Sequence, residues 1–225
     1  MDTLRVAAAL FRKDLLAERR TKDVSTSILL FGFTVAVAFT FAFEPTAEEA
    51  RKIAGGLLWL AFLFSAILGL SRAFARETAN DCLRGLRMAP ADPGAIYLGK
   101  LASNVLFLVL AEVVLLPVFG IFFNLSLWDR PGWLFLILLL GTWGLASLGT
   151  MFSAVSANTR MQELMLPLLL LPLTVPVLIA AIECTTILLE GRPMTDAHLW
   201  FRLLVGFDII FTVLCWLLFS YVVEE

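Results

Sequence analysis

The sequence predicts an all-α membrane protein with six transmembrane helices, and three observations lead to that prediction. Of the 225 residues, 60% are hydrophobic and only 16% are charged, whereas soluble domains average about 45–50% apolar and about 25% charged residues. The apolar residues form six long runs, and a spanning helix needs about 20 such residues. The runs are also continuous, which argues against the alternating pattern of membrane-barrel strands.

The six predicted spans fill most of the chain, so we expect residues 1–225 to form a single transmembrane domain. The spans lie near 24–43, 53–71, 101–123, 133–155, 164–189 and 203–223. Single acidic residues interrupt the third, fifth and sixth runs. The fifth run also contains three prolines, which predict a kinked or broken helix. Two fused spans and a re-entrant segment remain alternatives for this run.

The distribution of Lys and Arg predicts the orientation of the chain. Twelve of the 17 basic residues lie before the first span, between the second and third spans, or between the fourth and fifth. The other five lie in the links on the opposite side. Because basic residues concentrate on the cytoplasmic side of membrane proteins, both termini are predicted to be cytoplasmic. This agrees with an even number of spans.

The segment before the first span has the pattern of an interfacial amphipathic helix over residues 3–22. Its apolar residues recur at helical spacing, and most of its arginines lie off that face. A basic amphipathic helix of this kind lies flat at the lipid headgroups, although a simple basic tail would also orient the chain. The predicted apolar face consists of Leu4, Ala7, Ala8, Phe11 and Leu15.

The longest polar stretch, Arg72 to Lys100, links the second and third spans. Residues 73–88 can form a short amphipathic helix before Pro90, Pro93 and Gly94 interrupt it. Its apolar periodicity favours docking onto a cytosolic partner over a solvated loop. The stretch also contains a GxxxxGK pattern that ends at Lys100, but Leu101 stands where a phosphate loop needs Ser or Thr, so we interpret that match as accidental.

Charged residues and prolines inside the spans are candidates for a substrate path. An ionisable side chain at the bilayer centre costs at least about 2.5–3.5 kcal/mol and usually faces a bundle interior or a wet cavity. Structural hydrogen bonds between helices are the alternative explanation. The candidate path residues are Glu112, Pro167, Pro172, Pro176 and Glu183, and Asp208 is a further intramembrane acid. The glycines of the fourth run predict close helix packing, within the chain or across a dimer.

Other residue patterns indicate neither catalysis nor metal binding. Cys82, Cys184 and Cys215 lack the spacing of a zinc or redox site, and no catalytic constellation is visible. His198, the single histidine, lies in a predicted external link near Trp200. It is either an ordinary surface residue or a weak candidate for contact with haem iron. Nothing in the sequence suggests binding to nucleic acid.

Three stretches together resemble a known family. They are the entry helix from Phe11 to Arg20, the link from Phe74 to Lys100, and the proline-rich region from Arg160 to Ala181. In these stretches and in overall layout the chain resembles the haem-exporter B subunits of cytochrome c maturation (CcmB-like), which are permeases of the ABC-2 exporter type.

The resemblance implies a six-helix permease in the bacterial inner membrane, with ATP hydrolysis in a separate subunit and no enzymatic activity of its own. The link helix would be the coupling helix that contacts the ATPase. Expected partners are that ATPase, a second copy of the chain, a haem-handling membrane protein with its small accessory subunit, and the lipid bilayer. Haem would be transported or delivered and not held as a resident cofactor. The implied coupling residues are Phe74, Glu77, Asp81, Leu83, Arg84 and Leu86.

Two other functions and a purely structural membrane scaffold remain as alternatives. An ABC-2 permease for another amphiphile, such as a lipid or drug, would use the same fold, because one fold serves many substrates. A proton-coupled secondary carrier would use the intramembrane acids, although the sequence shows no inverted repeat of the kind that many carriers have.

Overall fold

The computed structural model describes residues 3–42, 47–79, 92–157 and 162–224, and these residues form seven α-helices and one short 3₁₀ turn. No β-strand occurs within these ranges, which confirms the all-α prediction. In chain order the elements are α1 (Thr3–Thr21), α2 (Asp23–Ala42), α3 (Ala47–Ala79), α4 (Pro93–Phe122), α5 (Pro131–Ser156), α6 (Gln162–Leu189), the 3₁₀ turn (Met194–Ala197) and α7 (His198–Glu224).

Six helical segments of the described chain are long and apolar enough to cross a membrane, so the prediction of six spans is confirmed. The apolar segments of α2, α3 and α6 agree with the predicted spans to within one residue at either end. The segments are Val24–Ala42, Lys52–Ser71, Pro93–Phe122, Pro131–Ser156, Leu164–Leu189 and Met194–Val222.

The start of α4 differs from the prediction, which placed the third span from Leu101. The helix begins eight residues earlier, at Pro93. Proline is well suited to the first helical position, where its missing N–H is not needed. The side chain of Asp92 accepts a hydrogen bond of 3.0 Å from the Gly94 N–H and caps the helix. Pro93 therefore starts this helix.

The proline-rich fifth run forms one continuous helix, α6, which excludes the alternatives of two fused spans and a re-entrant segment. Each proline removes one backbone hydrogen bond. In the middle of this region the buried Thr174 hydroxyl donates to the carbonyl oxygens of Leu170 and Leu171, at 3.0 and 3.1 Å. The missing N–H groups of Pro172 and Pro176 would have bonded the carbonyl oxygens of Leu168 and Pro172. The Thr174 bonds therefore satisfy its own hydroxyl and do not replace a lost backbone bond.

Helix α1 packs along the first turns of α4, and its position at the lipid headgroups stays a prediction. Its buried residues are Leu10 and Glu18, neither of which belongs to the predicted apolar face. From that face, Leu4 and Ala8 are exposed, and Ala7, Phe11 and Leu15 are half-buried. At the contact with α4, a side chain at Gly99 would lie 2.8 Å from the Ala7 carbonyl oxygen, so glycine permits the close approach.

The core of the bundle surrounds α5, which packs against α3, α4, α6 and α7. The glycines of α5 provide contact within the chain, as one of the two predicted alternatives had it. At Gly141 a Cβ atom would overlap the ring of Trp59, whose side chain is fully buried. The Trp59 indole nitrogen donates to Thr185 on α6 at 2.9 Å, so one tryptophan on α3 contacts both neighbouring helices.

Candidate functional site

Glu112 lies on α4 inside the bundle, where its side chain is 5% exposed. It is ten residues from the end of α4 at Phe122, about 15 Å along the helix, and a bilayer core is about 30 Å thick. The Thr142 hydroxyl on α5 donates a hydrogen bond to its Oε1 atom. Within the described part of the chain, Oε2 has no hydrogen-bond partner.

The contact between Glu112 and Thr142 belongs to a regular antiparallel register of α4 and α5. Two turns closer to the start of α4, the Asn104 amide donates to the Thr150 hydroxyl at 2.9 Å. Both polar pairs are buried. Moving eight residues forward along α4 and eight backward along α5 leads from one pair to the other, so polar side chains set the register of these two helices.

Asp208 is the second buried acid of the bundle, with an exposure of 6%. It lies on α7, again ten residues from a helix end and so about 15 Å from it. A Cβ atom at Gly144 on α5 would come within 2.9 Å of the Asp208 carboxylate. The absence of a side chain at Gly144 therefore makes room for this group. Neither carboxylate oxygen has a hydrogen-bond partner among the described residues.

The structure does not bring the predicted path residues together within one chain. Glu112 points into the bundle, whereas Pro172 and Pro176 are exposed on the outer face of α6. Pro167 and Glu183 are half-buried on the same helix. A path that includes both Glu112 and the exposed prolines would therefore need a surface outside this single chain.

The predicted coupling residues fall at the end of α3 and beyond it. Residues 73–79, the first part of the predicted link helix, continue α3 without a break to Ala79. Phe74 and Glu77 belong to this extension. Four of the predicted coupling residues, Asp81, Leu83, Arg84 and Leu86, lie outside the described residues, as does Cys82.

We call the region formed by residues 3–21, 72–79 and 92–101 the link end of the bundle. An ion pair buried there was not predicted from the sequence. Lys100 is 2% exposed, and its Nζ lies 3.0 Å from Oδ2 of Asp14 on α1. The lysine of the GxxxxGK pattern therefore has a structural contact, because its ammonium group pairs with Asp14 and holds α1 against α4.

A second buried charge of α1 holds the start of α2. The Glu18 carboxylate accepts hydrogen bonds from the Ser25 N–H at 2.8 Å and from the Ser25 hydroxyl at 2.9 Å. A carboxylate at a helix N-terminus satisfies free N–H groups and interacts favourably with the helix dipole. The spacing of Leu10, Asp14 and Glu18, four residues apart, is the sequence signal that could have indicated this inner face.

The opposite, loop end of the bundle consists of residues 123–133 and 189–202. Arg130 donates to the carbonyl oxygens of Arg192 and Gly191, at 2.7 and 3.2 Å, and so joins the two loops.

His198 is exposed, and its Nδ1 lies 2.7 Å from the Thr195 carbonyl oxygen. Because Nδ1 donates its proton to this carbonyl oxygen, Nε2 is the ring nitrogen whose lone pair can bind a metal or accept a hydrogen bond. The described residues contain no group of three or more His, Cys, Asp or Glu placed to hold a metal.

The chain matches a known family over almost its whole length. The family model described as CcmB protein matches residues 5–224. The heme exporter protein B of Pseudomonas aeruginosa is 29% identical over 203 residues, which cover 90% of each chain. The proteins of the same name from Rhodobacter capsulatus and Paracoccus denitrificans are 34% and 36% identical, each over 78% of this chain and 80% of the relative. The resemblance predicted from the sequence is confirmed: the chain is a multi-pass membrane protein and belongs to the CcmB protein family.

Proposed function

We propose that this chain is the transmembrane subunit of an ATP-driven exporter that delivers haem for cytochrome c maturation. The observation that carries the proposal is the match to proteins named heme exporter protein B over up to 90% of the chain. The six apolar spans supply the bundle that such a subunit needs. The proposed location is the bacterial inner membrane, with both termini in the cytoplasm.

The ATPase is proposed to be a separate subunit that docks at the link end. Helix α3 has 33 residues and is about 50 Å long, whereas the bilayer core is about 30 Å thick. Its apolar span ends at Ser71, so residues 72–79 extend about 12 Å further. A helical extension of this kind is a suitable rigid contact for a cytosolic partner, and it carries Phe74 and Glu77.

Charge reversal at the link tests this docking. We expect Glu77→Lys and Asp81→Lys each to lower the recovery of the ATPase with the permease and to lower the ATP hydrolysis of the complex. Membrane insertion should be unchanged. The control is Glu190→Lys at the loop end, where the only recorded ion-pair partner among the described residues is the exposed Arg192 at 3.5 Å. Normal ATPase recovery and hydrolysis in both link variants would argue against docking through this segment.

The remaining proposed partners are a second copy of the chain and a haem-handling membrane protein with its small accessory subunit. Because Pro172 and Pro176 face outward, a substrate path that includes them would lie between this chain and one of these membrane partners. Single cysteines introduced at Leu168 or at Leu171, both exposed on α6, test that arrangement by chemical crosslinking. We expect each cysteine to crosslink to another subunit, and the absence of any such crosslink would contradict the arrangement.

His198 is the proposed haem contact on the external side. Its exposed ring and available Nε2 are compatible with binding to iron, since neutral imidazole is a common metal ligand. We expect His198→Ala to lower haem recovery with the purified complex, whereas the neighbouring Asp196→Ala should not. Equal haem recovery in both variants would remove His198 from the proposal.

Two alternative functions give different outcomes. An ABC-2 permease for another amphiphile predicts ATP-dependent activity with normal levels of c-type cytochromes. A proton-coupled carrier is favoured by one observation, namely that Glu112 and Asp208 are buried with oxygens that lack partners among the described residues. It predicts activity that needs a proton gradient and no ATPase. Co-purification with a stoichiometric ATPase would argue against the carrier.

A further inference from the structure

A small, partly open cavity lies beside Glu112, between α2, α3 and α4. Its apolar walls include Ile28, Phe62, Leu108 and Leu115. The only polar residues among the described lining of this cavity are Ser65 and Glu112. The cavity therefore has two polar groups in an otherwise apolar wall near the middle of the bundle.

Each of these two polar residues has one buried atom without a hydrogen-bond partner among the described residues. The Ser65 hydroxyl and Oε2 of Glu112 are buried without a partner in the part of the chain that the structure describes. Other buried hydroxyls of the membrane helices behave differently, since Ser103 donates to the Gly99 carbonyl oxygen at 3.0 Å. Buried polar atoms nearly always have a partner, either protein or ordered water.

The size of the cavity selects the ligand. Its volume is about 10 Å³, which is close to the minimum room for one water molecule, and a buried water needs two to four polar partners. This space is far too small for haem or a drug. A water molecule fits chemically as well, because it can donate to Glu112 Oε2 and accept from the Ser65 hydroxyl.

We propose that the cavity between α2, α3 and α4 binds a single water molecule that bridges Ser65 and Glu112. The bound water completes a polar chain from Ser65 on α3 through Glu112 on α4 to Thr142 on α5, so three membrane helices are joined at one level. A water-mediated bond is nearly as favourable in enthalpy as a direct one. This site goes beyond the proposed haem function and does not depend on it.

Hydroxyl-radical footprinting by water radiolysis, with detection by mass spectrometry, tests the proposal on the full-length protein in lipid nanodiscs. Radicals form where water is bound, so a buried residue beside a water is labelled. Phe62 lines the cavity and is 2% exposed, whereas Phe119 is fully buried and does not line it. We expect the labelling rate of Phe62 to be several-fold higher than that of Phe119. Equal rates for the two phenylalanines would mean a dry cavity and would overturn the proposal.

Two variants locate the water. Ser65→Ala removes one of its two partners and should lower the labelling of Phe62 toward that of Phe119. Ser103→Ala is the matched control, because Ser103 is equally buried but bonded to its own helix, and it should leave Phe62 labelled. Unchanged labelling in Ser65→Ala would contradict the bridge. If Ser65→Ala does not fold, the comparison of Phe62 with Phe119 in the unmodified protein still decides.

Discussion

The buried charges at the link end differ from the buried acids in the middle of the bundle. At the link end Asp14 is paired with Lys100, and Glu18 accepts two hydrogen bonds from Ser25. In the middle, Glu112 has one hydrogen bond from Thr142, and Asp208 has none within the described residues. Buried carboxylates are thus well paired at the link end and poorly paired in the middle of the described bundle.

The difference indicates which of these buried charges contribute most to the stability of the bundle. Removing one member of a buried ion pair leaves a buried charge poorly compensated and is strongly destabilising. A buried charge that has no partner is already costly to keep in the folded protein, so its removal is not expected to destabilise. The link end should therefore be sensitive to single substitutions, since its charges hold α1 against α4 and α2. The middle should tolerate the loss of Asp208.

The largest effect is expected for Lys100→Met, which removes the closer and buried partner of Asp14 and leaves only the exposed Lys13 beside this largely buried carboxylate. The free energy of unfolding should fall by about 3 kcal/mol, the lower end for a broken buried pair, because Asp14 retains some exposure. Denaturation of the protein in detergent micelles measures this. Lys13→Met is the control, since Lys13 is exposed and lies 3.5 Å from Asp14; it should cost about 0–1 kcal/mol. Equal effects of the two variants would remove the distinction between the regions.

A smaller effect is expected for Thr142→Val, which keeps the shape of the side chain but removes the hydrogen bond to Glu112. Leaving a buried acceptor unsatisfied costs about 1–3 kcal/mol. Thr34→Val is the control, because Thr34 is exposed and bonds only the Leu30 carbonyl of its own helix in the described contacts. The double variant Thr142→Val with Glu112→Leu should recover part of the loss. Failure to recover any stability would show that Glu112 is not the group that Thr142 satisfies.

Glu18→Ala tests the second contact of α1 and should cost about 1 kcal/mol, the typical value for a lost N-terminal cap. The loss should appear in α2, as faster amide hydrogen exchange near Ser25. Arg19→Ala, an exposed neighbour on the same helix, should leave both stability and exchange unchanged. Unchanged exchange in Glu18→Ala would mean that the start of α2 does not depend on α1.

The smallest effect is expected for Asp208→Asn, which removes a charge that the described residues do not pair. The stability of this variant should lie within about 1 kcal/mol of the unmodified protein or above it. Thermal denaturation in detergent measures the change. A loss of stability as large as that of Lys100→Met would show that Asp208 has a strong partner and would contradict the difference between the two regions.

Most of the fold follows from the sequence because uncharged runs of sufficient length have few alternatives in a membrane. The six spans were predicted for this reason, and Glu112 and Asp208 were identified as intramembrane acids. The start of α4 was missed because Pro93 is compatible with both the end and the beginning of a helix. Its role depends on the cap by Asp92.

The contacts of the candidate site could not be predicted, because they depend on how helices face one another. Helix α6 is apolar on all sides, so its pattern does not indicate that Pro172 and Pro176 face outward. Thr142 becomes the partner of Glu112 only through the antiparallel register of α4 and α5. The inner face of α1 was missed because Asp14 and Glu18 are charged, and charge alone suggests exposure.

The central claim, that this chain serves haem delivery for cytochrome c maturation, is tested most directly by deleting its gene. Haem-stained c-type cytochromes are then compared in the deletion strain, with and without the gene restored on a plasmid. Loss of the stained cytochromes on deletion and their return with the restored gene is the predicted result. Normal levels of c-type cytochromes in the deletion strain would contradict the claim.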